Sequence, residues 1–130
     1  MKILAATDGS RAGNAAVRFA SNLLGNARKG ELVVLTVLPD GADLPDAATG
    51  EKPRSGAAAR FRVVRARHAD EVPEVISREA DRLRVDLIVV GSEGRESLAD
   101  WVVGGTALRL IYVARRPVTV VRAPRKRAAR

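Results

Sequence analysis

The feature of this sequence that most strongly suggests a ligand-binding site is the spacing of four glycines. The apolar run Leu87–Val90 ends at Gly91, and Gly94 and the pair Gly104–Gly105 follow it. Glycine lets the backbone approach a ligand without a Cβ in between. Glycines that open a helix leave amide N–H groups free to bind an anion. The spacing G-x2-G-x9-G, placed between a strand and a helix, therefore predicts a phosphate-binding loop.

Asp8 follows the first apolar run, residues 2–7, much as Gly91 follows a later one. In an open parallel sheet, ligands bind at the carboxyl ends of strands where the strand order reverses. If these two strands are neighbours, Asp8 faces the glycine loop across one crevice. Its carboxylate could accept a hydrogen bond from a sugar hydroxyl or help to hold a metal ion. In the alternative interpretation, Asp8 caps the first helix and the glycines are only turn and cap residues.

Hydrophobic periodicity predicts the elements that position these residues. Buried strands are predicted at 2–7, 31–37, 86–90 and 117–122, and an arginine-rich edge strand at 60–67. Helices are predicted from Ser10 to Gly25, from Asp70 as cap through Pro73 to Leu83, and from Gly104 to Ala114. Residues 39–58 are predicted to be mostly loop. This alternation predicts an α/β fold, a three-layer, doubly wound parallel five-stranded sheet.

Length and charge predict one domain with a basic tail. The 130 residues hold no cysteine, which excludes disulfides and zinc-thiolate sites. No apolar run approaches the roughly 20 residues of a membrane-spanning helix, and the first residues do not read as a signal peptide. Five basic residues within 122–130 account for most of the net charge of +8 and leave +3 elsewhere. We therefore expect a domain at 1–122, a disordered basic tail at 123–130 and no membrane partner.

The sequence lacks the residues or motifs that several kinds of catalytic site require. Neither a Walker A lysine motif nor G-x-G-x-x-G is present. His68 is the single histidine and is predicted to lie on the surface, since nothing places it beside Ser10 or Ser92 for a catalytic triad. Trp101 is predicted to pack in a core or interface. No catalytic residue is therefore predicted.

Four segments, ATDGS, DLIVVGSEGR, GGTALRLI and PVTVV, resemble the universal stress protein family. The resemblance covers Lys2–Arg122, and its strongest signal is the family motif G-x2-G-x9-G-(Ser/Thr), matched by Gly91, Gly94 and Gly104. It implies strand order 3-2-1-4-5 and a homodimer joined through the last strand. It also implies ATP, with Mg²⁺ as a possible companion, in the crevice described above.

The resemblance also implies which residues form the site. Carried over by position, the adenine and ribose side comprises Ala6, Thr7, Asp8 and Val37, with Asp8 as the candidate ligand of Mg²⁺. The phosphate side comprises Val90, Gly91, Glu93, Gly94, Arg95, Gly104, Gly105 and Thr106.

Two positions depart from the family pattern. Gly105 stands where the motif has a hydroxyl, and a neutral hydrogen bond is worth roughly 0.5–1.5 kcal/mol. Thr106, one place along, is a candidate substitute. Glu93 is an acid within the phosphate loop and would repel a polyphosphate unless Mg²⁺ bridges the two or Arg95 offsets the charge.

We therefore predict an ATP-binding, cytoplasmic, stress-response regulatory protein. It would act as a nucleotide-dependent dimeric switch on an unidentified protein partner, with at most slow ATP hydrolysis. One alternative is a protein-interaction module of the same fold that binds no nucleotide. Another is weak association with nucleic acid or another polyanion through the basic tail.

Overall fold

A computed structural model of the protein describes residues 1–25, 29–42, 58–92 and 105–123. Five strands and three α-helices lie in these ranges. The strands are β1 (Lys2–Ala6), β2 (Glu31–Pro39), β3 (Ala58–Ala66), β4 (Leu87–Gly91) and β5 (Val118–Val121). The helices are α1 (Arg11–Leu24), α2 (Val72–Leu83) and α3 (Gly105–Val113), and a short 3₁₀ helix, Ala69–Glu71, leads into α2.

The five strands form one parallel sheet in the order β3-β2-β1-β4-β5. β1 pairs with both β2 and β4, so that Ala5 lies opposite Val34 on one side and Val89 on the other. From β1 the chain goes to one side for β2 and β3, and to the other side for β4 and β5. The strand order therefore reverses between β1 and β4, which confirms the predicted doubly wound fold and its order 3-2-1-4-5.

Helices cover both faces of the central strands, and this is why β1, β2 and β4 are continuous apolar runs. On one face, Ile3 and Val17 belong to the cluster beneath α1. On the other face, Leu4, Ile76 and Leu110 belong to the cluster beneath α2 and α3. All five side chains are at most 2% exposed. Both faces of the central strands are therefore covered, and a ligand has to approach the sheet at the strand ends.

The ends of α1 match the sequence prediction, whereas the start of α2 does not. Ser10 Oγ accepts a hydrogen bond from Gly13 N at 3.1 Å, and Gly25 ends α1 with a φ of 55°. Asp70 was predicted to cap α2, but it lies inside the 3₁₀ helix. Glu71 N donates to His68 O in this turn, so backbone bonding leads into α2 without a side-chain cap. Pro73 lies in the first turn of α2, as predicted.

β3 is an edge strand, as its arginines predicted, and it begins at Ala58 rather than at Arg60. Residues 43–57 of the predicted loop and 124–130 of the predicted tail lie outside the described residues. Within the described ranges, no helix has the length and apolar character needed to cross a bilayer.

Candidate functional site

A cavity of about 370 Å³ opens where the strand order reverses, at the carboxyl ends of β1, β2 and β4. Its volume lies in the range of small-molecule sites. The strand ends form its floor, and the 3₁₀ helix, α2 and the first turn of α3 form its walls. Its lining comprises Ala6, Thr7, Asp8, Gly13, Leu35, Val37, Pro39, Ala69, Val72, Ile76, Val90, Gly91, Ser92, Gly105, Thr106 and Ala107.

The loop after β1 is shaped by hydrogen bonds from its own side chains. Asp8 Oδ1 accepts from Ser10 N at 2.9 Å, and Thr7 Oγ1 accepts from Gly9 N at 3.1 Å. Gly9 supports this tight turn with a φ of 82°. Asp8 therefore shapes the turn before α1, but the interpretation that Asp8 caps this helix is wrong, because the cap is Ser10. Asp8 also lies at the cavity, as the other interpretation expected.

Two glycines in the lining allow α1 to pack closely on the strand ends. A Cβ at Gly91 would lie 2.6 Å from the carbonyl carbon of Ala12, and a Cβ at Gly13 would lie 2.5 Å from Thr7 Oγ1. Neither separation is possible without a shift of the chain. The sequence suggested that Gly91 makes room for a ligand, but the close contact that it permits is with α1. Gly13 was not identified from the sequence, although a glycine in the first turn of a helix is a signal of close packing.

One wall of the cavity is an apolar slot. β2 contributes Leu35, Val37 and Pro39, and the segment from the 3₁₀ helix into α2 contributes Ala69, Val72 and Ile76. Apolar walls with a few placed polar groups are typical of sites that hold flat organic ligands. Of these six residues, the sequence predicted Val37 alone, because the others are adjacent only after the chain crosses between strands.

The start of α3 forms another part of the lining. Gly105, Thr106 and Ala107 line the cavity there, and the first N–H groups of an α-helix have no partner within the helix. These N–H groups and the helix dipole favour an anion. A Cβ built on Gly105 would have no atom of the described residues within 4 Å. As far as those residues go, there is space for a hydroxyl side chain at this position.

The structure brings eight of the twelve predicted site residues together in the lining. They are Ala6, Thr7, Asp8, Val37, Val90, Gly91, Gly105 and Thr106. The other four, Glu93, Gly94, Arg95 and Gly104, lie outside the described residues, as does Trp101. Ligand binding by any of these residues stays a prediction.

The described part of the chain holds no group of three or more histidine, aspartate or glutamate side chains that could bind a metal. Asp8 is the one charged residue among the described lining residues. His68 is exposed and is not among them. Ser92 does line the cavity, and its position next to Gly91 was the only signal in the sequence that could have identified it.

The model of the universal stress protein family matches residues 1–122. The chain therefore belongs to the universal stress protein family. No curated protein sequence matches the chain at a significant level.

Solved structures share the fold over nearly the whole chain. The hypothetical protein MJ0577 is similar with a TM-score of 0.78 and 20% identity, covering 96% of this chain and 97% of that one. A universal stress protein solved in complex with cAMP has a TM-score of 0.67, 21% identity and coverages of 95% and 98%. A universal stress protein from Archaeoglobus fulgidus, solved in complex with dAMP, has a TM-score of 0.65, 23% identity and coverages of 94% and 98%. At these identities the likeness shows the fold.

Proposed function

We propose that this chain binds an adenine nucleotide, ATP with Mg²⁺, in the cavity at the strand ends. The observation that carries this proposal is the pairing of an apolar slot with the amino end of a helix across one cavity. A nucleotide has the same division, since an apolar base lies at one end and anionic phosphates at the other. The cavity also lies at the reversal of strand order, where ligands bind in open α/β sheets.

The two walls assign an orientation to the nucleotide. The base fits the slot between Val37 on β2 and Val72 on α2, and the phosphates fit the first turn of α3. Asp8 lies between these walls on the floor, where a carboxylate accepts a hydrogen bond from a ribose hydroxyl. Its negative charge is also the reason to expect Mg²⁺, which would reduce the repulsion between Asp8 and a triphosphate.

The relatives support an adenine ligand. Two universal stress proteins with this fold were solved with cAMP and with dAMP, which are both adenine nucleotides. These ligands carry one phosphate each, so the choice between a monophosphate and a triphosphate has to be tested on this chain. The test is to identify, by mass after denaturation, the nucleotide that copurifies with the protein. ATP supports the full proposal, and AMP or cAMP alone would restrict the proposal to monophosphates.

We also propose that the chain forms a homodimer through β5 and α3. β5 pairs with β4 alone within the described sheet, which leaves its other edge open to a further strand. α3 exposes an apolar stripe of Leu108, Ile111 and Tyr112, which are 49%, 51% and 81% exposed. Their spacing of i, i+3 and i+4 puts them on one face of the helix. An open strand edge together with an apolar helix face suits a second copy of the chain.

These two proposals combine into one role. The nucleotide would bind beside the first turn of α3, and the same helix carries the stripe proposed for the dimer. Nucleotide binding and dimerisation would then affect each other through α3. We infer that the protein acts in the cytoplasm as a nucleotide-dependent dimeric switch in a stress response, with at most slow hydrolysis of ATP.

A further inference from the structure

Ser92 is a buried polar residue at the floor of the cavity. It is 3% exposed and directly follows Gly91, the last residue of β4. Ser92 N donates a hydrogen bond to Val121 O at 2.7 Å, so the backbone pairing of β4 with β5 continues through this residue. Its side chain is therefore held at a strand end that a ligand in the cavity would contact.

Ser92 lies one residue beyond β4, and its bond to Val121 O extends the strand pairing, so the alternation of side chains at the end of β4 indicates its direction. A Cβ at Gly91 would point at Ala12 of α1, so residue 91 faces the α1 side of the sheet. Successive residues of an extended strand face opposite sides. Ser92 therefore faces the side of α2 and α3, together with Val90. This is the side on which the cavity lies, and both residues line it.

The hydroxyl of Ser92 has no hydrogen-bond partner in the described chain, and less than 1 Å² of its Oγ is exposed. Four other side-chain atoms share this condition, namely Asn14 Oδ1, Glu31 Oε2, Arg62 Nε and Glu74 Oε2. None of those four residues lines the cavity. Buried polar groups are normally hydrogen-bonded, so an orphan hydroxyl in a cavity lining points to a ligand atom as its partner.

We propose that Ser92 Oγ donates a hydrogen bond to a phosphoryl oxygen of the bound nucleotide, a step that rests on the proposed function. Ser92 and the first turn of α3 line the same cavity, and Gly105 at that turn has no hydroxyl to offer. The serine hydroxyl moves between staggered positions by rotation about χ1, which turns it from its buried position toward the ligand. A bond to an anionic oxygen is stronger than a neutral one. Ser92 thus supplies the hydroxyl that Gly105 lacks.

The test is Ser92→Ala, studied with three ligands. Affinities for Mg-ATP and AMP should fall about tenfold or more, since the lost bond goes to a charged acceptor. The affinity for adenosine, which has no phosphate, should not change. The melting temperature of the free protein should stay the same or rise, because the substitution removes a buried hydroxyl that has no partner.

Ser77→Ala is the matched control. Ser77 is a buried serine, 9% exposed, whose Oγ donates to Val113 O at 3.4 Å, and it is not among the residues that line the cavity. Its substitution should lower the melting temperature and leave all three affinities unchanged. Ser92 and Ser77 should therefore show opposite patterns of stability and affinity.

Three results would overturn the proposal. If Ser92→Ala binds AMP and Mg-ATP as the wild type does, the inference about Ser92 fails and the proposed function survives. If the affinity for adenosine falls equally, the hydroxyl does not act on a phosphate. If the wild type binds none of the three ligands, the proposed function fails and this inference fails with it.

Discussion

Gly105 lines the cavity, and no atom of the described residues lies within 4 Å of the position that a Cβ would take there. We predict that Gly105→Ser raises the affinity for Mg-ATP up to about tenfold, since a hydrogen bond contributes roughly 0.5–1.5 kcal/mol. Gly105→Ala is the control, because it adds the same Cβ without the hydroxyl. Calorimetric titration of the three proteins measures the effect. Equal affinities for the serine and alanine variants would show that the hydroxyl plays no part.

At this scale the sequence predicted the site better than it predicted the reasons for its residues. Asp8 lies in the cavity, as its position after the first strand suggested, and so does Gly91, as the motif spacing suggested. The tight contact of Gly91, however, is with Ala12. The two residues are far apart in the sequence, and no local pattern predicts that they meet. From the sequence, Ser92 was considered only as a member of a catalytic triad and was not included among the site residues. Its orphan state is visible only when the surrounding atoms are in place.

One buried carboxylate on α2 joins this helix to β3 through an ion pair. Glu79 is 7% exposed and accepts from Arg82 Nε at 2.7 Å and from Arg62 on β3 at 3.1 Å. Burial alone would raise the pKa of Glu79, but the hydrogen bonds from Arg82 and Arg62 outweigh it, so the pKa lies below its ordinary value. The ionised form therefore stabilises the folded chain.

The sign of the pH dependence follows from that lowered pKa. The stabilisation by Glu79 is complete above the ordinary glutamate pKa and is lost as the pH falls through the folded value. We predict that Glu79→Gln lowers the free energy of unfolding by about 1–3 kcal/mol at neutral pH. The variant should also lose less stability than the wild type on acidification. Urea denaturation at neutral and acidic pH checks both expectations.

Glu74→Gln is the control for this ion pair. Glu74 also lies on α2, but its partner Arg109 is 61% exposed at the side chain, and exposed pairs contribute little. Its substitution should therefore change the stability less than Glu79→Gln does. If the two variants are equally destabilised, or if Glu79→Gln leaves the acid dependence unchanged, the role given to Glu79 is wrong.

The elements themselves were largely predictable from the sequence, because the helices show an apolar stripe of helical period and the buried strands are short, continuous apolar runs. Ser10 and Gly25 marked the ends of α1 correctly. The start of α2 was missed because Asp70 has the chemistry of a cap, whereas the backbone of the 3₁₀ helix performs that task. The ion pair between Arg62 and Glu79 could not be predicted from the sequence, because it joins two elements that come together only through the strand order.

For the whole molecule, the open edge of β5 and the apolar stripe on α3 predict a dimer. Ile111→Asp places a charge in the middle of the stripe and should convert the dimer to a monomer, because burying an unpaired charge costs several kcal/mol. Sedimentation equilibrium measures the mass. Leu23→Asp is the control, since Leu23 is 50% exposed on α1, outside the stripe, and its variant should remain a dimer. A monomeric wild type would contradict the dimer.

The strand order could be predicted only through the resemblance to a family, whereas the doubly wound class followed from the alternation of strands and helices. Of the apolar slot, only Val37 was predicted, and that through the resemblance to the family. The slot joins β2 to the segment Ala69–Ile76, which comes together with β2 only once the sheet and its crossovers exist. The glycine motif thus predicted from local spacing that Gly91 and the start of α3 lie at one crevice, whereas the slot depends on the tertiary structure.

The central claim is that the cavity binds a nucleotide between the slot and α3, with Asp8 on its floor. Asp8→Asn removes the charge and keeps an oxygen that can accept from Ser10 N. Asp86→Asn is the matched control, since Asp86 accepts from Lys2 N at the amino end of the sheet, away from the cavity.

Calorimetric titration with Mg-ATP tests this claim most directly. We predict one saturable site per wild-type chain, about tenfold weaker binding for Asp8→Asn, and unchanged binding for Asp86→Asn. No saturable binding of millimolar Mg-ATP to the wild type would contradict the claim.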